Sequence, residues 1–139
     1  MRNALSAVVF GGLLASAVPV AAHHSFAAEF DDTKSVTLKG SVKLVEWVNP
    51  HTWIHMDVKS PDGTLVTWRI EGGAPNAMYR HGWTKNSLKI GDEITVNGFM
   101  AKDGTPTANA RSVIMPNGKE YGAASSAGGA VALPALNDK

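Results

Sequence analysis

The amino-acid sequence predicts an all-β fold, a small five-stranded OB-like barrel with the element order β-β-β-α-β-β. Five segments have the alternation or β-rich composition of strands, turn-forming residues separate them, and one helix-forming segment lies between the third and the fourth. That order of elements is typical of an OB-type barrel, a small and partly open Greek-key barrel. A plain antiparallel sandwich built from similar strands is the main alternative.

Strand one is predicted from Val36, where apolar and polar residues alternate along the segment VTLKGSVKL. Asp31-Asp32-Thr33, just before it, indicates a turn. The alternation slips over residues 45–48, which indicates a β-bulge or a sharp bend, and Asn49-Pro50 then forces a turn. Gly40 fits this interpretation because a long first strand must bend to pair within both sheets of such a barrel.

Strand two is predicted over residues 52–59 and strand three from residue 64 to about residue 71. Between them, Pro61-Asp62-Gly63 is a hairpin signal, because proline presets one turn dihedral angle and glycine accepts a positive φ.

A short helix is predicted over residues 75–80, after Gly72-Gly73 ends strand three and before Gly82, which can stop the helix. Strand four is predicted over residues 93–100 and strand five over about residues 107–115.

The chain is predicted to contain one folded domain between two segments of different character. Its start combines a positive residue, Arg2, with an apolar run and a small-residue cut site, which predicts an export signal cleaved after Ala22. Its end is rich in Ala, Gly and Ser and has too little bulky apolar surface to offset the entropy of ordering. The predicted segments are a signal peptide (1–22), a lead-in (23–35), an OB-like domain (36–121) and a flexible tail (122–139).

The composition of the chain limits the cellular compartment and the classes of function that we expect. The chain has 139 residues and no cysteine, which excludes disulfides, thiolate metal sites and a lipidated cysteine. The apolar run of the signal is shorter than the roughly 20 residues that span a bilayer, so we expect a periplasmic protein with no membrane span. Thirteen basic residues stand against 12 acidic ones without a basic cluster, so nucleic-acid binding is not expected.

A set of motifs along the chain resembles a known family. They are, in order, AHHSFAAEFD, VTLKGSV, EWVNPH, WRIEGGAPN, RHGW, LKIGDEITVNG and AKDGTPTANARSV. Together they are similar to an uncharacterised, domain-of-unknown-function family of exported bacterial proteins whose mature chains begin with an AHHSF-type segment. The resemblance covers Ala22 to about Tyr121. It implies a small periplasmic β-barrel domain and brings no catalytic residues with it.

Four histidines are the candidate metal ligands. Cleavage after Ala22 would leave His23 as the first residue, followed by His24. A free α-amino group and an imidazole on one residue can chelate copper, and another imidazole could complete a T-shaped, three-nitrogen histidine brace. His51 and His55 are candidates for further ligands, because an even spacing puts them on one face of a continuous strand. A frayed polar terminus and hydrogen-bonded strand histidines are the alternative interpretation.

Trp47 and Trp53, which flank the NPH turn, are the candidate ligand-contact residues. Trp68 is predicted to lie in the core because it alternates with apolar residues, and Trp83 is predicted to cap the barrel end. Arg69 and Glu71 share one face of strand three, and Asp57 shares a face of strand two with His55. Although a carboxylate near a histidine can orient the imidazole, we expect a solvated strand face there.

Taken together, these residues favour a periplasmic, non-catalytic binding module that holds copper, another divalent metal or a small ligand. A protein-interaction or accessory domain with an exposed Trp surface and no metal is the alternative, with a periplasmic protein as partner. A copper oxidoreductase is a third possibility. No nucleophile motif, phosphate loop or HExxH pattern is present in the sequence, so we expect no enzyme activity.

Overall fold

The computed structural model describes residues 26–125, and these residues form a mostly β structure, which confirms the prediction of an all-β fold. The five predicted strands and the helix between the third and the fourth occur in the predicted order, with one further short helix before them and one further short strand after them. In chain order the elements are α1 (Phe26–Glu29), β1 (Phe30–Trp47), β2 (Thr52–Lys59), β3 (Leu65–Glu71), α2 (Pro75–Arg80), β4 (Glu93–Ala101), β5 (Thr107–Ile114) and β6 (Glu120–Gly122).

The sheet closes on itself as a ring. β1 pairs antiparallel with β2 on one side and with β4 on the other. β2 pairs antiparallel with β3, and β4 pairs antiparallel with β5. A short parallel pairing of β3 with β5, which sets Arg69 opposite Thr107 and Glu71 opposite Asn109, joins the two ends. β6 extends the sheet from the far half of β5.

β1 begins at Phe30, ahead of the predicted start at Val36. Asp31 and Thr33 do form a local contact of the kind found in turns. Asp31 Oδ1 accepts hydrogen bonds from the amide of Thr33 at 3.0 Å and from its hydroxyl at 2.6 Å. The β1–β4 register shifts between Phe30 and Ser35, so this contact sits inside an irregular strand.

The bend in β1 lies slightly earlier than predicted. Its register against β2 shifts between Val42 and Leu44, whereas the sequence pointed to residues 45–48. At the same point the regular pairing with β4 has ended, and the backbone of Val42, which still pairs with β2, bonds to the loop before β4 at Gly91 and Asp92. The irregularity therefore marks the point where β1 parts from β4 and continues along β2.

Two glycines allow neighbouring strands to approach closely. A Cβ atom at Gly40 would overlap the backbone carbonyl of Asp57, and one at Gly98 would overlap the carbonyl of Asn109. Both glycines are buried within paired strands. Because any side chain there would push two strands apart, glycine is required at both positions.

The core fills the inside of the ring, and α2 with the residues after it covers one end. Met78 of α2 and Trp83 are buried at that end, as predicted for Trp83, and Trp68 packs half-buried against the core. The inner face consists of Leu38, Val42, Ile54, Met56, Ile70, Ile94, Val96, Ala108, Ala110 and Val113. Neither α1 nor α2, the helices of the described range, has the length and apolar content needed to cross a membrane.

Residues 122–125, which the sequence assigned to the flexible tail, pack onto the sheet. Ala123 and Ser125 are buried, and Ala123 bonds to the backbone of both Arg111 and Gly73 at 2.9 Å. Small side chains fit here because Gly73 has no Cβ, which would otherwise lie 2.9 Å from the carbonyl oxygen of Ala124. The rest of the predicted tail, the signal peptide and the cut site lie outside the described residues.

Candidate ligand-binding groove

An open groove of about 820 Å³ lies on the outer face of β2 and β3. The two strands contribute Trp53, Thr67 and Arg69. One wall is α1 with the start of β1, and the other is the loop between β4 and β5. The groove is lined by Ala28, Glu29, Phe30, Trp53, Thr67, Arg69, Ala101, Lys102, Asp103, Thr105, Pro106 and Thr107.

Strand alternation explains why these side chains face outward. Trp53 lies between the buried residues Thr52 and Ile54, and Arg69 precedes the buried Ile70. The register sets His55 opposite Arg69 and Asp57 opposite Thr67, so these polar residues share one outer face.

Arg69 lies over Trp53, with its guanidinium carbon 4.5 Å from the centroid of the indole ring. Such stacking is favourable because the face of the indole ring attracts a cation. The backbone amide of Arg69 also bonds to the carbonyl of Pro106 at 3.0 Å, which ties β3 to the β4–β5 loop. Beneath the charged rim the groove has an apolar lining from Phe30 and Ala101, both buried.

The two walls of the groove are joined directly. The ammonium group of Lys102 donates a 2.6 Å hydrogen bond to the carbonyl of Ala27, and the amide of Lys102 bonds to the carbonyl of Glu29 at 2.8 Å. In the same loop, Asp103 accepts hydrogen bonds from the amide and hydroxyl of Thr105. These bonds lower the pKa of Asp103, so its carboxylate is ionised at neutral pH and helps fix the shape of the loop.

A set of interacting polar and charged side chains on β1, β2 and β3 lies beside the groove. The hydroxyl of Thr67 donates a 2.5 Å hydrogen bond to Asp57, and the ammonium group of Lys43 lies 3.5 Å from the same carboxylate oxygen. The bond from Thr67 is the main reason why the pKa of Asp57 is lowered, and the charge of Lys43 lowers it further. The side chains of this group therefore hold one another in place.

His55 forms a close pair with Glu46 on β1, with 2.6 Å between Nε2 and a carboxylate oxygen. The sequence placed Asp57 on the same face as His55, but the carboxylate that contacts the imidazole is that of Glu46. The register explains this, because Leu44 is the residue opposite His55 on β1 and Glu46 is the next outward residue along that strand. The Nδ1 atom of His55 makes no hydrogen bond to the described residues.

His51 packs against a buried carboxylate at the end of β3. Its Nδ1 atom lies 3.4 Å from a carboxylate oxygen of Glu71 and 3.3 Å from the carbonyl oxygen of Gly72. Glu71 is only 6% exposed and also accepts a 3.2 Å hydrogen bond from the side chain of Asn109, which contacts Ser125. The expectation of a solvated strand face is therefore wrong for Glu71, because residues 123–125 cover this end of the sheet.

The structure does not bring His51 and His55 together. His51 contacts the end of β3, whereas His55 contacts β1, and Trp53 separates them along β2. Within residues 26–125, no three His, Asp or Glu side chains form a cluster that could hold a metal ion. His23 and His24, the other two predicted ligands, lie outside the described residues.

Trp47 and Trp53 lie on opposite faces of the sheet. Trp53 faces the groove, whereas Trp47 stacks on Tyr79 of α2 at a centroid distance of 5.6 Å and meets the edge of the buried Trp83 at 6.5 Å. Trp47 thus belongs to the end of the ring that α2 covers, and the two indoles do not form one surface.

Sequence reasoning identified Trp53 but missed most of the other groove residues. It assigned Arg69 to a solvated strand face and gave no role to Phe30, Lys102 or Thr105. These residues are far apart in the chain, and only the pairing of β1 with β4 and of β3 with β5 brings them together. A signal was available in the alternation of β3, which puts Arg69 on the outer face beside Trp53.

Residues 10–110 of the chain match a family of unknown function, DUF6152. Comparison with curated proteins gives no match, and comparison with solved structures gives none either.

Proposed function

The chain belongs to the DUF6152 family, and we propose that it is a non-catalytic binding module whose small ligand occupies the β2–β3 groove. The observation that carries the proposal is the groove itself, which combines an apolar lining, a stacked Arg69–Trp53 pair and a polar rim. Concave sites that join an apolar lining to a few fixed polar groups are the usual form of small-molecule sites.

The finer fold assignment, an OB-type barrel, is part of this proposal. Following the pairings around the ring gives the order β1, β2, β3, β5, β4 and back to β1, with β3 and β5 parallel, and this order supports the assignment. OB-type barrels use the face of strands two and three, with the loop between strands four and five, to bind ligands. The groove occupies the corresponding face and the corresponding loop.

Binding without catalysis is favoured by how the groove uses its own polar groups. The hydroxyl of Thr67 is engaged with Asp57, and the carboxylate of Asp103 is engaged with Thr105. A nucleophile or general base needs a neighbour that activates it and a free path to substrate. These side chains instead fix the shape of the groove.

We also propose that the protein works in the periplasm after cleavage following Ala22, as the positive start, apolar run and small-residue cut site indicate. Intact mass measurement of the exported product tests this directly. A mass that corresponds to a first residue other than His23 contradicts the proposal.

The groove can be tested by NMR on the exported protein with a set of small ring-containing molecules. We expect saturable shifts confined to the indole N–H of Trp53 and the amides of Thr67 and Thr107. Ala28→Trp, which fills the groove from the exposed side of α1, should abolish these shifts and leave the remaining spectrum unchanged. Shifts that map instead to the smaller cavity beside Met115 and Tyr121 would overturn the proposal.

Copper binding is a second candidate, favoured by how the two described histidines are held. His51 directs Nδ1 to Glu71 and the carbonyl of Gly72, and His55 directs Nε2 to Glu46, which leaves the other nitrogen of each ring without a bond to the described residues. Metal-binding histidines are commonly oriented in this way by a carboxylate or carbonyl. In the sequence, only Ser25 separates His24 from α1, and α1 forms one wall of the groove.

Copper affinity measured on processed protein, and on a form with one additional residue before His23, tests this candidate. The additional residue turns the α-amino nitrogen of His23 into a peptide amide, which should weaken binding at least about tenfold, because the chelate on His23 loses one of its nitrogen donors. His51→Ala and His55→Ala then identify the further ligand, with His81→Ala at the exposed end of α2 as the matched control. Equal affinity for both N-terminal forms would eliminate the histidine brace.

A further inference from the structure

We propose that the groove selects an organic monoanion, a molecule with one carboxylate on an apolar or ring-shaped body, and that Arg69 recognises its charge. This inference rests on the proposed function, since it names the class of ligand that the groove binds. Three features support it: the position and exposure of Arg69, the balance of charge around the groove and the apolar lining.

Arg69 is presented with its hydrogen-bond donors available. Its guanidinium carbon lies 4.5 Å from the centroid of the Trp53 ring, and this contact with the ring leaves the five N–H donors of the group for other partners. The side chain is exposed, and within residues 26–125 it forms neither an ion pair nor a side-chain hydrogen bond. The planar fork of arginine matches a carboxylate, which can accept two parallel hydrogen bonds from it.

The charges around the groove favour a ligand with a single negative charge. Lys102 supplies a second cation, but one of its donors is used by the carbonyl of Ala27. Glu29 and Asp103 add two carboxylates to the lining, so the two cations are balanced overall. Because its charges balance, such a lining does not attract a polyanion as a whole. One carboxylate beside Arg69 can still form a local ion pair with directional hydrogen bonds.

The remainder of the ligand meets apolar surface. Phe30, Ala101 and Pro106 line the groove together with Trp53. Burying a ring or an aliphatic group there is favourable by about 25 cal/mol for each Å² of apolar surface removed from water. The lining therefore suits a carboxylate attached to a compact apolar body better than a free inorganic anion.

The test compares benzoate with benzamide, its neutral isostere, by NMR titration of the Trp53 indole N–H in the exported protein. We expect benzoate to bind at least about tenfold more tightly, because a hydrogen bond to a charged group is worth more than a neutral one. Arg69→Gln should bring the two affinities to within about twofold of each other. Phenyl phosphate, which carries more charge, should bind more weakly than benzoate.

Arg111→Gln is the matched control, because Arg111 also lies over an aromatic ring, that of Phe99 at 5.6 Å, and does not line the groove. This variant should keep the preference for benzoate. Equal binding of benzoate and benzamide to the unaltered protein, or a preference that survives Arg69→Gln, overturns the anion proposal and leaves the groove as a binding site. If no groove resonance responds to any probe, while the protein is folded, the proposed function fails together with the anion proposal.

Discussion

The indole N–H of Trp83 donates a 2.7 Å hydrogen bond to the backbone carbonyl of Gly122. This bond joins the segment after α2 to the last residue of β6, Gly122, which the sequence assigned to the flexible tail. Trp83 is only 2% exposed, and its ring also packs on Tyr121 at a centroid distance of 5.7 Å. The covered end of the ring therefore depends on residues beyond the predicted end of the domain.

Trp83→Phe should lower the free energy of unfolding by about 1–3 kcal/mol, because the carbonyl of Gly122 loses its partner and part of the indole volume is left empty. Urea denaturation of the variant measures this loss. Trp53→Phe, at a half-buried position on the outer face, is the control and should cost less than about 1 kcal/mol. Equal losses for the two variants would show that the bond from Trp83 to Gly122 is unimportant for stability.

Gly98→Ala should destabilise the protein by about 3 kcal/mol or more, because its Cβ would overlap the carbonyl of Asn109 and force β4 away from β5. Thermal and urea unfolding both report the effect. At Gly72, another buried glycine, an added Cβ would lie 3.4 Å from the flexible side chain of Met78 and 3.5 Å from the carbonyl oxygen of Ala123, which are ordinary van der Waals contacts. Gly72→Ala should therefore be tolerated much better, and a similar loss at both positions would contradict the close-approach argument.

Thr67→Val should raise the pKa of Asp57 towards its ordinary value of 3.8, because the hydroxyl of Thr67 makes the largest contribution to the lowered pKa. A lowered pKa in the folded state stabilises the protein above the unfolded-state pKa, and this contribution is lost as the pH falls through the folded-state pKa. The stability difference between wild type and variant should thus be present at neutral pH and shrink in acid.

An NMR titration of the Asp57 carboxyl group measures that shift. Asp62 is the internal control, because its pKa is lowered by Thr64, which the substitution does not touch. A pKa of Asp57 that does not change in the variant would show that Thr67 has no influence on it.

Asn109→Asp should destabilise the protein by about 3 kcal/mol at neutral pH, because it places a second carboxylate beside the buried Glu71. Two buried carboxylates at this distance raise the pKa of the pair, so the deficit should decrease as the pH falls from 7 towards 4. Urea unfolding as a function of pH measures it. Asn76→Asp, on the exposed first turn of α2, should show neither the loss nor the pH dependence.

The strands could be predicted because their residues alternate, and β2 begins and ends where the alternation predicted. The start of β1 could not be predicted, because Asp31 and Thr33 form a turn-like contact whether or not the chain around them is extended. The packing of residues 122–125 could not be predicted either. Alanine and serine bury little surface of their own, and only the space that Gly73 leaves open makes them fit.

The candidate site was predictable only in part. Alternation places Arg69 and Glu71 on the same outer face of β3, yet one is exposed and the other is buried under residues 123–125. Local sequence carries no information about which segment covers a face. The pairing of Trp53 with Arg69 across two strands follows from a register that no single strand determines.

The attachment of Lys102 to α1 has a consequence for the dimensions of the groove. Because its ammonium and amide groups bond to the carbonyls of Ala27 and Glu29, the two walls of the groove are tied to each other by residues more than 70 positions apart in the chain. The distance between the walls therefore depends on one exposed lysine side chain as well as on strand pairing.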